Sequence, residues 1–332
     1  MPEAHVGSDL IGVVVIGRNE GERLRRCLSA IETGIPLVYV DSNSTDGSAA
    51  MARSLGAEVV ELDGARPFTA AWARNTGWRR LVEIEPEARL VHFLDGDCEM
   101  MPGWLQAARE FMEVRPDVAV VCGRRRERFP DETVFNRQCE IEWNGPIGEV
   151  RACGGDALMR VDALLAVGGY RDSLIAGEEP ELCVRIRATG AKVWRLPQDM
   201  VWHDAAIRQW SQWWRRSKRA GHAFAEGAAL HGASPERHGV LQTKRALLWG
   251  LFVPLGIVVA SLFSVKLLLL LLVYPLQVLR LALRPTAAAR EAGAPWSRAF
   301  FLVAGRFPEA AGILLFNWRR WRGRASTLIE YK

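Results

Sequence analysis

No C-x-x-C pair occurs among the six cysteines, Cys27, Cys98, Cys122, Cys139, Cys153 and Cys183. Their scatter excludes a zinc ribbon and a disulfide framework, and leaves buried thiols in a reducing cytoplasm as the simplest account. Residues 1–9 lack an apolar core, so no secretory leader is expected there. Neither an internal repeat nor a low-complexity linker interrupts the chain. Charge of one sign is also scarce: 43 Lys+Arg against 38 Asp+Glu leave +5, too small an excess to argue for nucleic acid. What is present is an ordinary globular balance, 49% hydrophobic and 24% charged, which rules out disorder, collagen and coiled coil for the whole chain. Its 332 residues allow two domains, or one large domain with an appendage. The 13 Trp stand out, many of them beside Arg late in the chain, where the basic surplus also lies.

Short apolar runs alternate with amphipathic stretches through the first half. Residues 10–16, 37–40, 58–62, 90–94 and 118–122 read as strands, the first of them buried on both faces. Residues 20–31 place Leu24, Cys27, Leu28 and Ile31 at helical spacing, and 48–55, 69–81 and 102–114 also read as helices. This alternation predicts an α/β fold with a mostly parallel sheet, helices on both faces, and ligands beyond the carboxyl ends of the strands. Gly17-Arg18-Asn19, Asp41 and Asp95-Gly96-Asp97 all fall at such ends. After Gly123 the pattern loses regularity around Arg124-Arg125-Arg126, and residues 124–148 read as a specificity loop. Residues 149–160, with Gly154-Gly155-Asp156, are expected to cross the sheet. Residues 161–167 read as a helix, 177–189 as a helix with Glu178, Glu179 and Glu181 at its front, 191–196 as a strand and 208–222 as a Trp- and Arg-rich helix.

Asp95-Gly96-Asp97 sets two carboxylates about a glycine where a strand ends. Carboxylate oxygens, diphosphate oxygens and water together suit Mg²⁺ or Mn²⁺. A solvated, helix-capping turn would use the same residues, but the apolar strand before them and Asp41 at an earlier strand end favour the metal. Asp41 is placed to accept hydrogen bonds from a base N–H or from ribose hydroxyls. Arg74, among Ala70, Ala71 and Ala73, is either a surface arginine or a partner for a nucleobase carbonyl or phosphate. Glu178 and Glu179 either stabilise a helix N-terminus or supply a general base for an acceptor hydroxyl. His203 reads as a metal ligand, a phosphate contact or a structural histidine. Gln212, Arg215 and Arg216 share a helix with Trp210, Trp213 and Trp214, and such a helix can bind phosphate, stack on sugar or lie at a membrane surface.

Taken in order, six segments resemble glycosyltransferase family 2, the large inverting family with the GT-A fold. They are Ile16-Gly17-Arg18-Asn19-Glu20, residues 40–48, Ala73-Arg74-Asn75-Thr76-Gly77, Phe93-Leu94-Asp95-Gly96-Asp97, Val167-Gly168-Gly169-Tyr170 and Gly177-Glu178-Glu179-Pro180-Glu181-Leu182. The resemblance extends over residues 10–225 and implies a glycosyl-transferring enzyme of the EC 2.4 class. It implies that Asp41 contacts the nucleoside of a nucleotide sugar, with Asn19 and Glu20 lining the pocket and Arg74 holding base or diphosphate. Asp95 and Asp97 would form the D-x-D motif around a divalent cofactor, Mn²⁺ or Mg²⁺, with Asp97 the direct ligand and His203 a further metal or diphosphate ligand. The base would lie in the pair Glu178-Glu179, where relatives carry Glu-Asp, and Glu179 is the choice. Gln212-Trp213-Trp214-Arg215-Arg216 is similar to the donor-side Q-x-x-R-W motif of processive members, with Arg216 in place of the final Trp. Two competing readings are a nucleotidyltransferase and a catalytically inactive carbohydrate- or membrane-binding scaffold. Gly17-Arg18-Asn19 is a poor match to the Gly-rich loop of the former, and the intact Asp95, Asp97 and Glu179 count against the latter.

Residues 246–265 form an almost unbroken apolar run of about the length that spans a bilayer, and 267–279 form a second, shorter run after Lys266. Two helices joined by a turn at 261–266, a re-entrant hairpin and a buried helical pair all satisfy this pattern. Lys244 and Arg245 before the runs, and Arg280 and Arg284 after them, suit a hairpin with both ends cytoplasmic. Residues 296–321 read as an amphipathic helix lying in the interface. The expected organisation is a GT-A catalytic domain over 1–240 facing the cytoplasm and a membrane-associated helical region over 241–332. Its expected partners are a nucleotide-sugar donor, a lipid-linked or saccharide acceptor and the membrane, with no nucleic acid.

Overall fold

The apolar run at the start forms strand β1 (Leu10–Gly17) inside a nine-stranded sheet, in a computed structural model that describes residues 10–64 and 67–324. The leader expectation for residues 1–9 lies outside the described residues. Val13, Val14 and Val15 are fully buried, as a strand covered by helices on both faces requires. Strand β1 is followed by α1 (Glu22–Ser29), β2 (Leu37–Asp41), α2 (Ser48–Ser54), β3 (Glu58–Glu61), α3 (Ala70–Ile84) and β4 (Ala88–Asp95). Strands β2 and β4 flank β1 in parallel, and β3 adds in parallel outside β2.

Beyond β4 the sheet turns mixed. Next come β5 (Cys98–Met100), α4 (Trp104–Glu113), β6 (Val118–Glu127), α5 (Val134–Trp143), β7 (Gly148–Val150), β8 (Ala157–Arg160), α6 (Val161–Val167), α7 (Glu178–Ala188) and β9 (Lys192–His203). The strand order is β3-β2-β1-β4-β8-β6-β9-β5, with β7 on β9; β8 runs antiparallel between β4 and β6, while β6 and β9 are parallel. Two expectations need correction here. Residues 124–127 are not loop: β6 continues through the arginines, and β9 runs on past residue 196 to His203. The two strands pair across register shifts near Cys122, Arg124 and Arg125, so the irregular sequence is a bulged strand rather than a break. Residues 134–143 form α5, started by the Thr133 hydroxyl accepting the Asn136 N–H at 3.0 Å.

The chain divides into two compact units that do not follow one another as consecutive blocks. The first takes the described residues up to Arg128, Pro146–Leu174 and Glu178–Asp204, and holds the whole sheet. The second takes Phe129–Gly145, Ile175–Gly177 and the residues from Ala205 onward. Within it, Phe135 and Cys139 of α5 pack with Ala205, Ile207, Trp213 and Phe301, and Ile141 packs with Ala289 and Ala294.

The second unit also contains α8 (Trp210–His231), α9 (Val240–Leu247), α10 (Val253–Ser261), α11 (Val273–Ala282), α12 (Ala287–Glu291), α13 (Pro295–Ala304) and α14 (Arg306–Trp321). A π-helical turn, Leu248–Phe252, joins α9 to α10, and a 3-10 stretch, Val265–Leu272, leads into α11. Three continuous helical stretches, Val240–Ser261, Val265–Ala282 and Pro295–Trp321, are long and apolar enough to cross a membrane. Only 11% and 6% of the apolar windows of the first two are buried, and the break between them falls inside the turn expected at 261–266. The third, expected to lie flat, is also long enough to cross, and 44% of its apolar window is buried. Helix α14 meets α8 almost backbone to backbone. A Cβ on Gly221 would sit 2.0 Å from the Glu309 carbonyl oxygen, and one on Gly312 the same distance from that of Lys218.

Candidate active site

Strands β1, β2 and β4 end side by side, so Gly17, Asp41 and Asp95 stand at one edge of the sheet. Helix α3 lies close over these strands because Gly77 has no side chain: a Cβ there would meet Val14 at 2.3 Å. That close approach brings Arg74 inward, and at 2% exposed it is no surface arginine. Its guanidinium holds Asp95 Oδ1 at 2.7 Å, Glu178 Oε1 at 3.0 Å and Glu179 Oε1 at 2.9 Å. One buried cation thus ties the end of β4 to the start of α7. Asn75, next along α3, donates to the Tyr170 carbonyl at 2.7 Å and accepts the Tyr170 N–H at 2.9 Å, anchoring the Gly168-Gly169 turn.

The nucleoside-side candidates form a separate hydrogen-bonded group. Asp41 accepts the Tyr39 hydroxyl at 2.9 Å and the Ser44 N–H at 2.7 Å. Asn19 adopts a positive φ of 55°. Its side-chain oxygen accepts the Thr45 N–H at 2.7 Å, and its own N–H donates to Ser44 Oγ at 2.9 Å. The turn after β1 and the Ser/Thr loop after β2 therefore brace each other. Glu20 pairs with Arg23 at 2.7 Å.

Electrostatics separate the carboxylates. Burial pushes Glu179 up, the neighbouring Glu178 pushes it further, and Arg74 only partly offsets them, leaving it at about 7. Burial acts the same way on Asp95, but Arg74 and Arg125 outweigh it and hold the group below the usual carboxylate range. The result is one carboxyl poised near neutrality beside one fixed in its ionised form, which is how acid–base and electrostatic roles divide between two like groups.

Asp97 Oδ2 lies 3.4 Å from His203 Nε2, brought together by the pairing of β5 with the end of β9. Asp97, Cys98 and His203 can each offer a ligand atom within 4.8 Å of the others, as can Asp95, Cys98 and Asp156. Burial and Asp156 push the Cys98 thiol up, and its soft sulfur suits a hard cation poorly. Carboxylate and imidazole donors from Asp97 and His203, with Asp95 alongside, fit a divalent ion of the Mn²⁺ or Mg²⁺ class.

Asp156 is an alternative candidate for the base, while Arg125 escaped the sequence reading of the site. Arg125 pairs with both Asp95 and Asp156, and Asp156 accepts the Asp95 N–H at 2.9 Å. Gln212, Arg215 and Arg216 belong to the second unit. There Gln212 closes a capping box at the start of α8, Arg215 donates to the Ser211 carbonyl, and Arg216 grips Glu142 with two bonds of 3.0 and 3.1 Å.

The family model described as glycosyl transferase family 2 matches residues 12–164. The pre-mycofactocin glycosyltransferase of Mycobacterium tuberculosis is 27% identical over 219 residues, covering 60% of this chain and 44% of that protein. The succinoglycan biosynthesis protein ExoA of Rhizobium meliloti is 25% identical over 197 residues, covering 56% and 58%. The chain spans about half the length of these curated relatives. Among solved structures, the mannosyltransferase PcManGT of Pyrobaculum calidifontis, in complex with GDP-Man and Mn²⁺, matches with a TM-score of 0.63 at 18% identity, over 94% of this chain and 88% of that one. TarS 1–349 of S. aureus matches with a TM-score of 0.51 at 12% identity, over 95% and 92%. At such identities these two likenesses concern the fold alone. Residues 12–164 thus match the glycosyl transferase family 2 model, and the chain has a GT-A fold like that of its solved neighbours.

Proposed function

We propose that the chain is an inverting, metal-dependent glycosyltransferase that moves a sugar from a nucleoside-diphosphate sugar to a lipid-linked or saccharide acceptor at the cytoplasmic face of a membrane. The observation that carries this reading is the Arg74 bridge, which sets Glu179 at the same buried cation as Asp95. In this scheme the Asp41, Asn19 and Glu20 group receives the nucleoside, and Asp97 with His203 would hold the cation, which would supply positive charge against the departing diphosphate. Glu179 takes the acceptor hydroxyl proton as that oxygen bonds to the anomeric carbon; the bond from that carbon to the diphosphate breaks on the opposite face, and the centre inverts. A base near 7 suits that proton transfer at physiological pH. Arg74 keeps Asp95 ionised and draws the two halves of the site together. The name of the succinoglycan biosynthesis relative supports a saccharide acceptor. The three apolar helical stretches support work at a membrane, on a lipid-linked or membrane-proximal acceptor.

Nucleotide-sugar turnover by the detergent-purified chain, with and without Mn²⁺, tests the reading, with Asp97→Ala as the control. The expected result is release of nucleoside diphosphate only with the ion, and loss of both donor binding and turnover in Asp97→Ala. Normal ion-dependent donor binding by that variant would overturn the metal assignment. Release of pyrophosphate when a nucleoside triphosphate and a sugar 1-phosphate are supplied instead would favour a nucleotidyltransferase.

A further inference from the structure

Behind Asp95 stands a pair of charges to which the proposed chemistry gives no role. Asp156, at the end of the Gly154-Gly155 turn that enters β8, is fully buried. One of its oxygens accepts the Asp95 N–H at 2.9 Å. The other pairs with Arg125 and accepts the Cys98 thiol at 3.4 Å. Arg125 in turn reaches Asp95 Oδ2 at 3.4 Å, while Arg74 holds Oδ1 at 2.7 Å. The same turn presses on the carboxylate from below: a Cβ on Gly155 would sit 2.5 Å from Asp95 Oδ2. Asp95 is therefore held at its backbone by Asp156, at one oxygen by Arg74 and at the other by Arg125. A buried ion pair contributes little net stability compared with apolar packing, so its value lies in what it orients.

We propose that Arg125 and Asp156 act as positioning residues that aim the Asp95 carboxylate at the donor. The inference rests on the reading of Asp95 as a donor-side group. Removing Arg125 has two separable effects. The Asp156 carboxylate is left buried without its cation, which weakens the fold, and Asp95 Oδ2 is released, which weakens the donor site. Neutralising Asp156 as well cures the first fault and leaves the second.

The experiment compares the full chain in detergent with Arg125→Met, Arg125→Lys, Asp156→Asn and the double variant Arg125→Met/Asp156→Asn. GDP and UDP are each titrated with Mn²⁺ present, and the unfolding midpoint is measured beside each titration. Arg125→Met is expected to lower the midpoint and to weaken nucleotide affinity by roughly tenfold or more, the range of a lost charge-assisted hydrogen bond. In the double variant the midpoint recovers and the affinity does not, whereas Arg125→Lys regains part of the affinity. Should Arg125→Met alone fail to fold, the double variant carries the comparison. Affinity that returns together with the midpoint would reduce the pair to a structural one and overturn the proposal, as would wild-type affinity in Arg125→Met. A wild-type chain that binds neither nucleotide with Mn²⁺ would overturn the donor-site reading itself, and the proposal with it.

Discussion

Glu179 owes its value of about 7 first to burial and second to Glu178, with Arg74 pulling the other way. A base works in its ionised form, so kcat/KM is expected to rise with pH through that value on the acid side. Glu178→Gln removes the repulsion and should move this limb to lower pH. Glu179→Gln should abolish it, keep donor binding, and cost about two orders of magnitude or more in transfer. A pH–rate profile of the three proteins checks both statements. His92 makes the opposite kind of case. It is fully buried in β4 with neither ring nitrogen hydrogen-bonded, and burial holds it near 3 instead of 6.5. As pH falls below about 6.5, the unfolded chain gains a proton that the folded one refuses until about 3. Stability is thus full above that window and declines through it, by up to about 1.4 kcal/mol per pH unit. Urea unfolding of His92→Leu between pH 7 and pH 4 should show a flatter dependence than the parent.

Elements whose own pattern decides them were readable, and those decided by their neighbours were not. Residues 10–16, 37–40 and 90–94 announced β1, β2 and β4 because burial on both faces demands unbroken apolar runs. Asp41, Asp95 and Asp97 were readable as site candidates for the same reason, since they stand where those runs stop. The second half of β6 was hidden because Arg124-Arg125-Arg126 finds its partners in β9, Asp95 and Asp156, none of them near in sequence. Helix α5 was hidden because its buried face includes Asn136 and Gln138, which break the apolar stripe. Arg125 could have been found only by continuing the strand and asking where an inward guanidinium would go. Packing in the second unit makes a further prediction at this scale. Gly221→Ala or Gly312→Ala puts a methyl group into the facing backbone of the α8–α14 crossing. Each should cost about 1–3 kcal/mol, seen as a lowered unfolding midpoint in detergent.

For the whole molecule the decisive contrast lies among the helical stretches of the second unit. Leu262 and Phe263, in the turn between the first two, are 83% and 88% exposed, and those two stretches leave most of their apolar surface uncovered. Exposed apolar area on this scale calls for a bilayer or a partner. The full-length chain is expected in the membrane fraction, resistant to an alkaline wash and released by detergent; recovery in the detergent-free soluble fraction would sink the anchoring claim. A reporter fused after Lys332 should be active only in the cytoplasm if Lys244, Arg245, Arg280 and Arg284 set the orientation.

Helix α5 carries a consequence for the order in which the chain is made. It is translated between β6 and β7, yet Phe135, Cys139 and Ile141 pack with residues made much later, among them Ala205, Ile207, Trp213, Ala289, Ala294 and Phe301. Until about sixty further residues are made the first of these partners is missing, and until about a hundred and fifty are made Ile141 lacks Ala289 and Ala294, so a greasy helix face protrudes from the nascent chain. A ribosome held near the membrane, or a chaperone, would have to shelter it. An expression plasmid cut back to end at Asp204 would make that transient condition permanent, and its product should clump in inclusion bodies unless α5 is redesigned with a polar face.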